Sequence, residues 1–384
     1  MYNFEYKNPV KIIFGEGQIA TISAEIPAQS KILLIAGGGS IKKNGIYDQV
    51  INALSGFEFL EFWGIEPNPL YETCMKAVEY IKANQIDYLL SVGGGSVLDA
   101  TKFIAAAVCF EGTDPWAILT KRAPVRKAMP LGAVMTLPAT GSEMNGNSVI
   151  SRKLTVEKYA FSSQAVMPQF SVLDPQSVFS LPDKQVANGI VDAFVHVMEQ
   201  YLTFPVNSPL QDRFSESILL TLIEEGPKVL ANRRDYAAAA NFMWCATLAL
   251  NGLIGAGVPQ DWTSHQIGHE LTALHGIDHG RTLAVVLPGV MRIRKQQKKE
   301  KILQYGERIW GIKEGSEEER IDESIHKTVE FFESVGIPAN LTDYGVTAET
   351  IDEIVARFRI RKSGMGEMGD LDAGQVRLIL EERG

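Results

Sequence analysis

The sequence predicts an α/β N-terminal domain built on a mainly parallel sheet over residues 1–182, followed by an all-helical C-terminal domain over residues 183–384. Three observations carry that prediction. Short, near-continuous apolar runs alternate with helix-period segments in the first half, the pattern of strands buried on both faces. Two of those runs stop at triple glycines, Gly37-Gly38-Gly39 and Gly93-Gly94-Gly95. After Leu181-Pro182 the strand runs give way to long amphipathic patterns.

Taken in order, Lys11–Gly15 is short, apolar and closed by glycine, which predicts a strand. Lys31–Ala36 is a buried-strand run, and Phe57–Phe62 is a further strand candidate. Met75–Asn84 has helical spacing, Asp87–Val92 is the strand that runs into the second triple glycine, and Met129–Leu137 is another apolar run. In the second half helical periodicity covers 185–201, 209–230, 236–253, 265–274, 298–310, 318–335 and 348–360.

Composition narrows the function. A chain of 384 residues is long for one ordinary core, and 45% hydrophobic with 22% charged residues describes a soluble globular protein. A net charge of -9 argues against nucleic acid or an anionic membrane as partner. The three cysteines, Cys74, Cys109 and Cys245, are scattered and form no CxxC pair, as expected of a reducing cytoplasm. No signal peptide and no membrane span are expected.

The glycine turns carry the first chemistry. Gly93-Gly94-Gly95-Ser96 precedes Asp99 and Lys102, so backbone amides could approach a phosphate where a helix begins, with Ser96 capping that helix or donating to the phosphate and Asp99 and Lys102 on its first turn or two. The competing reading is a plain strand-to-helix turn, but two such turns at successive strand ends favour a ligand site. Neither spells G-x-G-x-x-G, so an ordinary Rossmann site is not expected. Gly37, Gly38, Gly39 and Ser40, with Lys42 and Lys43 following, offer no acidic residue to repel a 2′-phosphate, which favours NADP over NAD. Solvated lysines would look the same. Thr136, Leu137, Thr140 and Asn145 lie in a hydroxyl-rich loop suited to phosphate or nicotinamide, a weak signal alone.

Five of the six histidines fall in two segments. Asp192 and His196 are four apart and share a helix face, His265 and His269 repeat the spacing, and His275 and His279 repeat it beyond a glycine. One carboxylate with several imidazoles makes a divalent metal site suited to Fe(II) or Zn(II), and the choice among the four later histidines stays open on spacing alone. His326 reads as surface, and Trp116 and Trp262 as core or pocket-wall aromatics.

Jointly, Gly93–Ser96 with Asp99 and Lys102, Thr140-Gly141-Ser142-Glu143, Asp192-x-x-x-His196 and His265-x-x-x-His269 resemble the iron-containing (group III) alcohol dehydrogenases. Gly37–Ser40, Glu66-Pro67-Asn68-Pro69 and Asn251–Gly255 place the chain nearest the butanol dehydrogenase and NADPH-dependent aldehyde reductase branch. The resemblance implies a dehydroquinate synthase-like architecture, a homodimer, and reversible reduction of aldehydes to primary alcohols with NADP(H) and Fe(II) or Zn(II). It implies Asp192, His196, His265 and His279 as metal ligands and His269 as a non-ligating proton-relay group. It puts Asn68, Thr136, Thr140, Asn145 and Lys158 against ribose, phosphate or nicotinamide. Gly39 stands where NAD-preferring members often carry aspartate, while His275 receives no role. The alternatives are an NADH-preferring butanol dehydrogenase, a glycerol dehydrogenase, a dehydroquinate-forming lyase and a non-enzymatic metal- or nucleotide-binding protein. The lyase would want a basic cluster near Asp192 or His265, which the sequence lacks.

Overall fold

The computed structural model describes residues 1–361 and 364–384. Six strands form one parallel sheet in the order β1-β8-β5-β4-β2-β3. They are β1 (Lys11–Phe14), β2 (Lys31–Ala36), β3 (Glu58–Phe62), β4 (Tyr88–Gly93), β5 (Leu131–Met135) and β8 (Phe170–Leu173). The sequence did not announce β8, four residues long with a buried serine in the middle. Strands β6 (Asn147–Arg152) and β7 (Glu157–Ser162) make a separate antiparallel hairpin, also unforeseen.

Register decides where the glycine turns lie. Ala36 pairs with Val92, and Val92 with Val134, so β2, β4 and β5 end side by side. Both glycine turns and the loop after β5 therefore leave the same edge of the sheet, the carboxyl edge where open α/β sheets take ligands.

Helices of two turns or more are numbered here. In the α/β part they are α1 (Ile46–Ala53), α2 (Tyr71–Asn84) and α3 (Gly95–Val108). Helix α3 is buried almost throughout, which is why its sequence is apolar and alanine-rich rather than amphipathic. Beyond it run α4 (Asp183–Tyr201), α5 (Pro209–Ala231), α6 (Tyr236–Ala249), α7 (Thr263–His275) and α8 (His279–Ile293). The last four are α9 (Lys299–Trp310), α10 (Glu317–Ser334), α11 (Ala348–Arg361) and α12 (Ala373–Glu381).

Three of these helices, α1, α8 and α12, were not expected. Helix α8 is buried along most of its length and contains Pro288, which reads as a helix breaker. Helix α12 is short and starts at a capping box on Asp372 and Gln375. Helix α6 ends at Ala249, four residues before the expected Leu253.

The chain forms two compact units that are not two continuous halves. One comprises Lys7–Pro182 with Arg233–Thr247, the other Met1–Tyr6, Asp183–Asn232 and Leu248–Gly384. A boundary falls at 182/183, but residues 1–6 and 233–247 depart from the expected division at that point. The first unit's core packs Ile32, Leu34, Leu90, Val92, Val134 and Val172 with α1 residues such as Val50. A core of the second unit packs Ile267 and Leu271 of α7 against Val285, Val286 and Val290 of α8 and the apolar faces of α11 and α12.

Candidate functional site

The glycine-rich cluster lies in the α/β unit. At Gly95, the first residue of α3, any side chain would collide with that of Thr140, so the loop after β5 comes closer there than a Cβ allows. Gly39 sits at φ 93° with open space where a side chain would go. Ser96 donates its hydroxyl to the Pro67 carbonyl, and Lys158 donates to Asn68 Oδ1 at 3.0 Å. Sequence positions 67–68, 96 and 158 are thus drawn together by the fold.

Behind this cluster the chain stitches itself. Lys102, fully buried, donates to Ser142 O (2.6 Å) and Oγ (2.8 Å), Asn145 Oδ1 (3.2 Å) and Asn147 O (2.9 Å). Asp99 accepts from Ser142 Oγ at 2.7 Å and from the Val149 amide at 3.0 Å. Both charged residues of the motif therefore fasten the loop carrying Thr140 and Asn145 to α3. Burial pulls the Lys102 ammonium from its ordinary 10.5 down to about 8, with Asp99 and Glu143 pulling the other way. Glu143, itself buried, accepts from the Thr247 hydroxyl at the end of α6, a contact that no local sequence signal announces.

The two lysines after Gly39 separate in the structure. Lys42 Nζ stands 4.0 Å over the Trp63 ring centroid and 4.9 Å over that of Tyr47. Both aromatics donate to Glu61, Trp63 Nε1 at 2.6 Å and Tyr47 Oη at 2.6 Å. Lys43 is exposed. Lys42, also exposed, lies on an aromatic shelf.

The histidine cluster lies in the helical unit. Helix α4 presents Asp192 and His196 one turn apart, both 4% exposed; α7 presents His265 and His269; His279 opens α8. Gly280 explains how α8 gets there. A Cβ at that position would strike the Asn188 carbonyl, so α8 starts almost in contact with the α4 backbone. Asp278 secures the same junction, accepting from Asn188 Nδ2 and pairing with Lys184, each at 2.8 Å. Burial would raise the Asp278 carboxyl, but Lys184, Asn188 and Arg281 hold it below the usual range.

Ligand atoms of Asp192, His265 and His279 all fall within 4.8 Å of one another. His196 Nε2 lies 3.6 Å and His279 Nε2 3.8 Å from Asp192 Oδ1. The His196 and His265 rings stack with centroids 4.7 Å apart. Tetrahedral donors bonded to zinc at about 2.1 Å are about 3.4 Å from each other. Three imidazoles and one carboxylate at these separations fit a divalent cation. His269, half-buried, has its ring centroid 5.3 Å from that of His279 and 6.4 Å from that of His265. His275 is exposed and hydrogen-bonds Thr350 Oγ1 at 2.9 Å, a surface contact. His326 is also exposed and pairs with Glu330 at 3.1 Å.

Sequence reading missed Glu199, on α4 just beyond His196. Its carboxylate faces His265 Nδ1 and accepts the Ser264 amide. Burial pushes its carboxyl up to about 8, the charge of Asp261 adds to that, and the donors at Ser264 and His265 oppose it. The spacing Asp192-x-x-x-His196-x-x-Glu199 keeps all three on one helical face, a signal that was available. Trp262 was foreseen only as a wall aromatic. It holds φ 69° immediately before α7, a conformation worth about 1–2 kcal/mol of strain. Its ring meets His265 edge-on at 5.2 Å, and its Nε1 donates to Gln260 Oε1 at 2.9 Å.

Glycine turns at a parallel sheet's carboxyl edge and histidines gathered around one carboxylate on helices are the features expected of a metal-dependent dehydrogenase. The chain belongs to the iron-containing alcohol dehydrogenase family: the model of that description matches residues 9–175, and that of its C-terminal domain residues 186–382. It is 54% identical over 372 residues to the NADPH-dependent aldehyde reductase YqhD of Escherichia coli (strain K12), covering 96% of both chains. It is 40% identical over 386 residues, 99% of both chains, to a probable NADH-dependent butanol dehydrogenase 1 of Bacillus subtilis (strain 168). The solved structure of E. coli K-12 YqhD superposes with a TM-score of 0.98 at 52% identity, covering 100% of this chain and 99% of that one. The sheet and the helical part are those of the fold expected from the sequence.

Proposed function

We propose that this chain reduces aldehydes to primary alcohols, and catalyses the reverse oxidation, with NADP(H) preferred. We assign Asp192, His196, His265 and His279 as ligands of one divalent cation, Fe(II) or Zn(II). The observation that carries the reading is that these side chains, from α4, α7 and α8, converge at metal-ligand separations. When bound, the cation supplies Lewis-acid polarisation of a carbonyl oxygen and the nicotinamide supplies the hydride.

The chain's own residues do the rest. Gly94, Gly95 and the start of α3 offer backbone amides and the positive end of a 14-residue helix to a pyrophosphate. Asn68, Ser96, Thr136, Leu137, Thr140, Asn145 and Lys158 are assigned to the remainder of the nucleotide, with Asp99 and Lys102 fixing their loop. Gly37, Gly38, Gly39, Ser40 and exposed Lys43 receive the adenosine ribose and its 2′-phosphate, since the turn 37–43 itself carries no acidic residue. His269 can hold or pass a proton at either ring nitrogen, and we assign it proton delivery to the product oxygen. The half-exposed face of Trp262 is assigned to the carbon chain of the substrate.

A homodimer is proposed through β1, which lies at the sheet's edge with backbone groups available for pairing. Among the described residues no helix is long and apolar enough to cross a membrane. With its acidic balance and scattered cysteines, a cytoplasmic location is proposed.

The test is aldehyde reduction by metal-stripped protein reloaded separately with Fe(II) and Zn(II), with NADPH and NADH in parallel. Turnover restored by one metal and favouring NADPH supports the reading. Turnover favouring NADH would transfer it to the NADH-preferring butanol dehydrogenases. No turnover under any condition would refute it.

A further inference from the structure

One buried cluster behind the histidines has no part in the function assigned above. Lys298, 2% exposed at its side chain, donates to Asp261 Oδ2 at 2.7 Å, to both Glu367 oxygens at 2.9 Å and to the Leu202 carbonyl at 2.7 Å. Asp261 and Glu367 are 5% and 1% exposed at their side chains. An ammonium has three protons, and here they meet two carboxylates and one carbonyl. Burying three ionised groups is costly unless each is matched, so this geometry is tightly specified.

What the cluster joins gives it meaning. The Leu202 carbonyl belongs to the end of α4, where carbonyls lack helical partners and a cation is favourable. Asp261 Oδ1 accepts the Thr263 amide at 3.0 Å and the Thr263 hydroxyl, capping the start of α7. The Asp261 amide itself donates to the Glu199 carbonyl at 2.8 Å. One ion cluster therefore clamps the end of the helix bearing Asp192 and His196 to the start of the helix bearing His265. Between those two ends Glu199 reaches across, its carboxylate on His265 Nδ1 and on the Ser264 amide.

A histidine that gives one ring nitrogen to a cation must carry its proton on the other. With Nδ1 facing Glu199, Nε2 is the His265 nitrogen that a metal would take. We propose that Glu199 is a positioning residue for the metal centre, holding His265 in the Nδ1-protonated tautomer, and that the Asp261–Lys298–Glu367 cluster maintains that contact by locking α4 to α7. This rests on the proposed ligand set and adds to it a tautomer-setting carboxylate and a buried brace.

The experiment measures Zn(II) affinity of the metal-stripped protein by competition with a chromophoric chelator, alongside thermal unfolding of the metal-free form. Glu199→Gln keeps the shape and one acceptor oxygen but replaces the other oxygen with an amide group that donates. It is expected to weaken Zn(II) binding roughly 10–100-fold, the usual cost of losing such a partner, with little change in metal-free unfolding. In the zinc-loaded unsubstituted protein, ¹⁵N spectra should show His265 protonated at Nδ1, and that proton's shift should move in Glu199→Gln. Lys298→Met should weaken Zn(II) binding and also lower metal-free stability. If Glu199→Gln bound Zn(II) as tightly as the unsubstituted protein, the positioning role would be overturned while the ligand assignment stood. If the unsubstituted protein bound no Zn(II) or Fe(II), the ligand assignment and this inference would fall together.

Discussion

Replacing Gly39 by aspartate tests the proposed cofactor preference at a single atom cluster. Gly39 follows β2 and precedes the one-turn helix Ser40–Lys43 at φ 93°, ψ 11°. A Cβ there meets no atom within 4 Å, so the new side chain needs no repacking. Its cost is conformational, about 1–2 kcal/mol for an L-residue in left-handed backbone, and reduced for aspartate, which visits that region more than most. The gain or loss on the ligand is electrostatic. One carboxylate about 5 Å from one phosphate charge, at an effective dielectric constant between 20 and 80, is repelled by about 1–3 kcal/mol. That corresponds to roughly a 5–150-fold rise in KM for NADPH. NADH, which lacks the phosphate, should be used as well as before or better through a hydrogen bond to the ribose hydroxyls. The assay is steady-state aldehyde reduction with each cofactor across a salt series, because repulsion of this kind weakens as ionic strength rises. An unchanged kcat/KM for NADPH in Gly39→Asp, with the protein folded, would refute the placement of the 2′-phosphate at this turn.

Three further outcomes are expected. His265→Ala removes one of four converging donors; bound metal measured by elemental analysis should fall to background while NADPH binding, followed by fluorescence, persists. Lys43→Ala should raise KM for NADPH and flatten its salt dependence, whereas Lys42→Ala, which vacates the Trp63 shelf, should change KM much less; equal effects would mean that both lysines face the phosphate. Lys102 gives a pH signature. Its folded value of about 8 lies below the ordinary 10.5, so between those values the unfolded chain keeps a proton that the folded chain has lost. Its contribution to stability therefore rises with pH across that window. The stability difference between the unsubstituted protein and Lys102→Met, from urea unfolding, should grow as pH is raised from 8; a flat difference would show that the ammonium stays charged among its four oxygen acceptors.

Much of this protein could be read before any coordinates. Strands β2 and β4 were legible because they are buried on both faces, which forces apolar runs, and both end at glycine. The amphipathic helices were legible because one face of each meets solvent. Helix α8 was not, since Pro288 and the glycines at 280 and 289 read as breakers. Strand β8 was not, since Phe170–Leu173 offers too few residues for a pattern and takes its place from its neighbours β5 and β1. The hairpin of β6 and β7 was hidden by its mixed polar composition, and its Lys158 came from resemblance alone.

The sequence by itself determined the ingredients of the chemistry. The i, i+4 pairs Asp192 and His196, and His265 and His269, are properties of helical geometry that hold wherever those helices go. The absence of an acidic residue after β2 is likewise a matter of sequence. Which histidines converge is a different kind of fact. It depends on α8 approaching α4 closely at Gly280, and on His275 pointing to solvent while His279 turns inward. The partition of Lys42 from Lys43, the capture of Asp99 and Lys102 by their own loop, and the meeting of Glu199 with His265 all join residues distant in sequence. No periodicity encodes such contacts, because each arises from the packing of two elements whose separate patterns record only that they are buried.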